Sequence, residues 1–89
     1  MEADFLIDGY DCRVSGLGTA GTAVRLLIYF DKNLRGVWDF VSSATKKNVK
    51  KYVMDKIKEI KKRNAPPGYY IKCGIVWDLN KMYRKKDND

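Results

Sequence analysis

Lysine is the residue whose density and spacing carry the clearest chemistry in this chain. Between Thr45 and Arg63 the sequence reads TKKNVKKYVMDKIKEIKKR, nine lysines and arginines against Asp55 and Glu59, or +7. The residues before it sum to −2 (four basic, six acidic) and those after it to +2 (five basic, three acidic). One segment therefore carries a charge equal to the +7 of the whole 89-residue chain. Ammonium groups packed this closely hold phosphates or steer acidic proteins, so an anionic partner is expected. Lys46, Lys47, Lys50, Lys51, Lys58, Lys61 and Lys62 are the candidate nucleic-acid contacts. Ser43 and Thr45 stand beside Lys46 and Lys47 where a helix would begin. Free amides, hydroxyls and two ammonium groups there would suit a phosphate, although two solvated lysines cost only a few tenths of a kcal/mol.

The residues needed for catalysis are sparse. The chain contains no histidine, which removes the usual general base and the Ser/His and Cys/His nucleophile arrangements. Cys12 and Cys73 are too few for a classical zinc site and read as reduced core thiols, with one disulfide as the alternative. A nonenzymatic binding protein without cofactor or metal is expected.

Two further patterns bear on binding. Gly16, Gly18 and Gly21 spell GxGxxG, with Asp39 lying 21 residues past Gly18. A dinucleotide fingerprint requires a helix directly after the glycines, and a full dinucleotide domain has two βαβαβ halves. Residues 23–30, AVRLLIYF, are β-branched and aromatic and read as a strand, which makes the glycine stretch a hairpin loop and nucleotide binding a third-ranked reading. Aromatic and basic residues also interleave along the strand-like runs. One register exposes Arg25, Leu27 and Tyr29 beside Tyr70, Lys72, Gly74 and Val76 on an open sheet face, the arrangement that single-stranded nucleic acid uses. Arg25, Tyr29, Trp38, Tyr70 and Lys72 are the candidate contacts on that face, and no RNP-type run accompanies them.

The elements that must position these groups follow from periodicity. Val49, Tyr52, Val53, Ile57 and Ile60 fall on one helical stripe, with most lysines off it. Asn64 and the Pro66-Pro67-Gly68 run end that helix, because proline lacks the amide donor. Asp4 to Val14 alternates as a strand interrupted by a turn or bulge at Asp8-Gly9. Residues 23 to 41 read as a hairpin around Asp31–Gly36, and Tyr69 to Trp77 as one uninterrupted strand closed by Asp78–Asn80, with a short turn over Lys81–Tyr83.

The order is β-β-β-α-β, an α+β domain with a small antiparallel sheet and one long basic amphipathic helix on one face. The alternative takes residues 19 to 32 as helix and gives an α/β β-α-β-α-β chain. A single domain over residues 1–83 and a frayed charged tail over 84–89 are expected. No stretch approaches the ~20 apolar residues of a membrane span. The acidic start lacks signal-peptide character, so a cytoplasmic protein is expected.

The leading functional expectation is a small basic protein that contacts nucleic-acid phosphates through its lysine helix. The alternative is a protein-binding inhibitor or accessory module that sets exposed aromatics, such as Trp38 or Tyr70, against an acidic protein surface. Binding through the helix would leave the sheet face for a protein partner or a homodimer.

Overall fold

The computed structural model describes residues 2–16, 23–41 and 46–80. Six strands form one sheet in sequential order: β1 (Glu2–Ile7), β2 (Tyr10–Ser15), β3 (Ala23–Phe30), β4 (Asn33–Val41), β5 (Tyr69–Lys72) and β6 (Ile75–Asp78). The helix α1 (Lys46–Arg63) connects β4 to β5. An α+β architecture with one long helix among the described residues is thus observed. Residues 23–30 form β3, antiparallel to β2, which settles the α/β alternative in favour of the strand.

The turns explain why the meander is tight. Asp8–Gly9, Asp31–Lys32 and Cys73–Gly74 each place two successive residues at positive φ, the signature of a type I′ turn whose twist matches that of paired strands. The predicted interruption at Asp8-Gly9 is the first of them. The predicted continuous strand from Tyr69 to Trp77 is instead a hairpin, with Cys73 at φ 50° and Gly74 at φ 86°. This reverses the expected faces. Lys72 pairs with Ile75 and Tyr70 with Trp77, so Ile75 and Trp77 share a face with Tyr70 and Lys72, while Val76 lies opposite Ile71.

A second correction concerns sheet direction. β4 and β5 are parallel, with Gly36 opposite Ile71 and Val37 opposite Lys72, so the sheet is mixed rather than antiparallel. A helix-length connection returns the chain to the end from which it left, which makes the next strand run the same way. The return is anchored locally. Asn64 takes a left-handed conformation (φ 49°) just past the helix. Pro67 and Gly68 (φ 87°) then form a turn closed by the Tyr69 amide donating to the Pro66 carbonyl at 3.1 Å.

The core lies between α1 and one face of the sheet. Val49, Val53, Ile57 and Ile60 pack with Ala3, Cys12, Val14, Val24, Leu26, Ile28, Trp38 and Ile71, and Phe5, Ile7, Tyr10 and Tyr52 close the edges. Each fully buried aliphatic side chain contributes roughly 1.5–3 kcal/mol, so the helix stripe is a major part of the stability. The predicted stripe is the observed one, with Tyr52 at its margin.

The register of β3 on β4 shifts between Ile28 and Tyr29, making Arg35 the extra residue of a bulge. Arg35 uses that displacement to clamp the crossover, donating to the carbonyls of Ala65 (2.6 Å), Tyr69 (3.0 Å) and Pro66 (3.3 Å). Beside the bulge, Gly36 lies under the helix. A Cβ there would sit 2.4 Å from the Trp38 ring and 3.0 Å from Ile60 Cδ1. Gly36→Ala should therefore lower stability by about 1–3 kcal/mol through overpacking, read as a lower urea midpoint with unchanged slope. A neutral result would show that the Trp38 ring can move aside.

Candidate nucleic-acid interface

The helix sets its lysines by simple geometry. With the buried stripe facing the sheet, Lys50, Lys51, Lys58, Lys61 and Lys62 all lie on the exposed side, together with Met54 and Asp55. At 1.5 Å per residue the stretch from Lys50 to Lys62 is about 18 Å long. Lys46 and Lys47 are the first two residues of α1 and extend the same row along the backbone; the first turn holds no acid. Ser43 and Thr45 lie outside the described residues, as do residues 17–22 of the glycine stretch and everything after Asn80.

What separates these lysines from other cations is the absence of partners. Arg25 makes a two-point contact with Asp39 at 2.8 and 3.1 Å. This hydrogen bond raises the guanidinium's affinity for its proton and holds the Asp39 carboxyl below its usual range. Arg13 pairs with Asp11 at 3.4 Å and lies over the Tyr29 ring. Arg63 meets Glu59, and Arg35 is spent on the crossover loop. Lys72 covers Trp77. Among the described residues, Lys50, Lys51, Lys58 and Lys62 have no carboxylate within ion-pairing distance; Lys32, Arg35 and Lys72 share that property, but Arg35 and Lys72 are engaged by carbonyls and a ring. Lys61 is different: its Nζ lies 3.0 Å from Asp8 and 5.9 Å from the centre of the Tyr10 ring, tying the helix to the β1–β2 hairpin.

Sequence reasoning passed over Lys56, which is structural rather than ligand-facing. Its Nζ stands 5.3 Å from the Trp38 ring centre, 5.1 Å from that of Tyr52 and 3.7 Å from Glu59. An ammonium between two rings is held by their quadrupoles while its stem covers apolar surface. Its position in the helical period, on the margin of the buried stripe, was the available signal. Burial also raises the pKa of Tyr52 above its ordinary value.

On the other side of the sheet the structure brings together Arg25, Leu27, Tyr29, Tyr70 and Lys72, which line one open cleft of about 450 Å³ with Lys32, Asn33, Leu34, Val37 and Leu79. Trp38 is not among them. It lies opposite Leu26 on the helix side and is 4% exposed, so it offers no anchor to a partner. Tyr70 reaches the cleft but is 2% exposed, and burial raises its pKa. Arg13 already occupies one face of Tyr29 and Lys72 covers Trp77, so this face presents little open ring for a base to stack on. Gly74 lies in the β5–β6 turn and Val76 on the opposite face, away from the cleft.

The helix that the GxGxxG reading needs after Gly21 is replaced by β3. Among the described residues no group of three or more histidine, cysteine or acidic side chains converges on a metal position. No helix among them is long and apolar enough to cross a membrane.

The two thiols, both read as core from sequence, differ. Cys12 is fully buried and donates to the Tyr10 carbonyl at 3.7 Å, whereas Cys73 is exposed in its turn. Burial, helped by the Asp11 charge, pushes Cys12 up to about 11 from 9.0. The folded state therefore holds this proton more tightly than the unfolded chain, so the group leaves stability unchanged below pH ~9 and lowers it as pH rises from ~9 through ~11. A thiol-specific disulfide reagent at pH 8 should thus titrate one cysteine in the native protein and two in urea. Rapid reaction of both without denaturant would contradict the buried placement of Cys12. Comparison of the chain with family models, curated proteins and solved structures returns no match.

Proposed function

We propose that this protein binds nucleic acid through the phosphate backbone, using the outer face of α1. The observation that carries the reading is the row of lysines without carboxylate partners, Lys50, Lys51, Lys58 and Lys62; Lys46 and Lys47, the first two residues of α1, add to the charge of the segment. A fold that ties each described arginine to an acid, a ring or a carbonyl leaves most of its described free positive charge on the helix, with Lys32 the exception. Release of condensed counterions from a polyanion is the chief gain such a line can make.

The same face limits what is read. Among its described side chains it carries no arginine fork free for guanine, no asparagine or glutamine placed for adenine, and no exposed aromatic ring. Contacts to phosphate position a protein but do not specify sequence. Binding is therefore indifferent to base order, and a continuous double helix suits the row better than unstacked single strands. An acidic protein surface is the competing partner, and salt dependence separates the two because a surface of modest charge releases few counterions.

The test is fluorescence anisotropy with labelled duplexes of two unrelated sequences across a salt series. Engagement of about four phosphates gives a log–log slope near −3.6, or about a hundredfold loss of affinity between 50 and 200 mM salt. Lys50→Glu with Lys51→Glu, or Lys58→Glu with Lys62→Glu, should abolish binding, while Arg25→Ala should leave it unchanged. No binding at low salt, or equal losses from Arg25→Ala, would overturn the assignment.

A further inference from the structure

The face of the sheet turned away from α1 has a pattern of its own. Strand register lines up two transverse rows of side chains across it. One runs Asp4, Arg13, Leu27, Val37, Lys72 and Ile75, each opposite the next. The other contains Leu6, Asp11, Tyr29 and Leu34 in one run and the Tyr70–Trp77 pair beyond it. Leu6 is 80% exposed at one edge and Ile75 60% exposed at the other. A strip of apolar residues, broken by Asp11 in one row and by Arg13 and Lys72 in the other, thus crosses the sheet, and its two ends stand open to solvent.

Charge on this face is divided. The β1–β2 half carries Asp4 and Asp11 against Arg13, whereas the β3–β6 half with its turn carries Arg25, Lys32 and Lys72 against Asp31 and Asp39. One half is net acidic, the other net basic. We infer that this face is a self-complementary interface, and that its occupant is a second copy of the chain packed sheet to sheet.

A two-fold axis running along the strands lays β1–β2 of each copy over β5–β6 of the other. The acidic half then meets the basic half twice, as an isologous contact requires. An axis across the strands would set acid on acid. The first arrangement also brings the open ends of the strip, Leu6 and the Ile75–Trp77 strand, onto each other. The available rings are covered by Arg13 and Lys72 or buried, which favours aliphatic packing over base stacking as the use of this face. Both lysine helices would then point outward on opposite sides. If the phosphate-binding reading holds, the dimer bridges two anionic partners, but the interface itself does not depend on that reading.

Sedimentation equilibrium over 1–200 µM, without nucleic acid, tests it. The wild-type chain should sediment as a dimer at the upper concentrations. Leu6→Asp and Lys72→Glu should each raise the dimer dissociation constant about tenfold or more, with circular dichroism unchanged. Both positions are exposed, so these variants keep their fold. Because charges pair across the axis, mixing Lys72→Glu with Asp4→Lys should restore association that neither has alone. A folded monomer at 200 µM, or a dimer untouched by Leu6→Asp and Lys72→Glu but lost in Lys58→Glu, would overturn the proposal.

Discussion

The structure depends on the packing of one helical stripe against one face of a sheet. Val49, Val53, Ile57 and Ile60 meet side chains from β1 through β5, and no other described element covers sheet on that side. A helix of this length has a single apolar stripe to bury, so it can seal only one of the sheet's two faces. Sealing that face points the lysines outward. It also leaves Leu6, Leu27, Tyr29, Leu34 and Ile75 uncovered on the other side. Both surfaces to which we assign a role are thus consequences of the same contact.

Polar chemistry at the margins secures the contact and sorts the cations into two kinds. Lys56 sits between Trp38 and Tyr52 with Glu59 beside it, and Lys61 reaches Asp8 across the hairpin. Arg35, displaced by its bulge, holds the loop that returns the chain to β5. Exposed ion pairs are individually worth only about 0–1 kcal/mol, so their importance lies in orientation more than in stability. Apart from Lys32, the described lysines left over from these duties fall on the outward face of α1. The proposed phosphate surface rests on their freedom from carboxylate partners, and not on their number.

Much of this was legible in the sequence because it follows from local rules. The stripe at Val49, Val53, Ile57 and Ile60 announces the helix, and the Pro-Pro-Gly stop fixes its end to within a residue of Arg63. The β-branched run over Ala23–Phe30 identifies β3 and removes the nucleotide fingerprint. What was not legible depends on pairing. A type I′ turn at Cys73–Gly74 consumes two residues without breaking the alternation of Tyr69 to Trp77, so the hairpin is invisible to a period-2 pattern, yet it inverts the faces of Ile75, Trp77 and Val76. Trp38 could face either way until its partner, Leu26, was known. The parallel pairing of β4 with β5 and the bulge at Arg35 are likewise properties of neighbours, not of runs.

The central claim is that the two faces divide their labour, phosphate on the helix and protein on the sheet. Amide chemical-shift mapping during titration with a short duplex at low salt reads both faces at once. The account predicts progressive shifts at Lys50, Lys51, Met54, Lys58 and Lys62, with Leu27, Tyr29, Tyr70 and Lys72 unmoved. Shifts concentrated on those four sheet residues, with the helix silent, would contradict it.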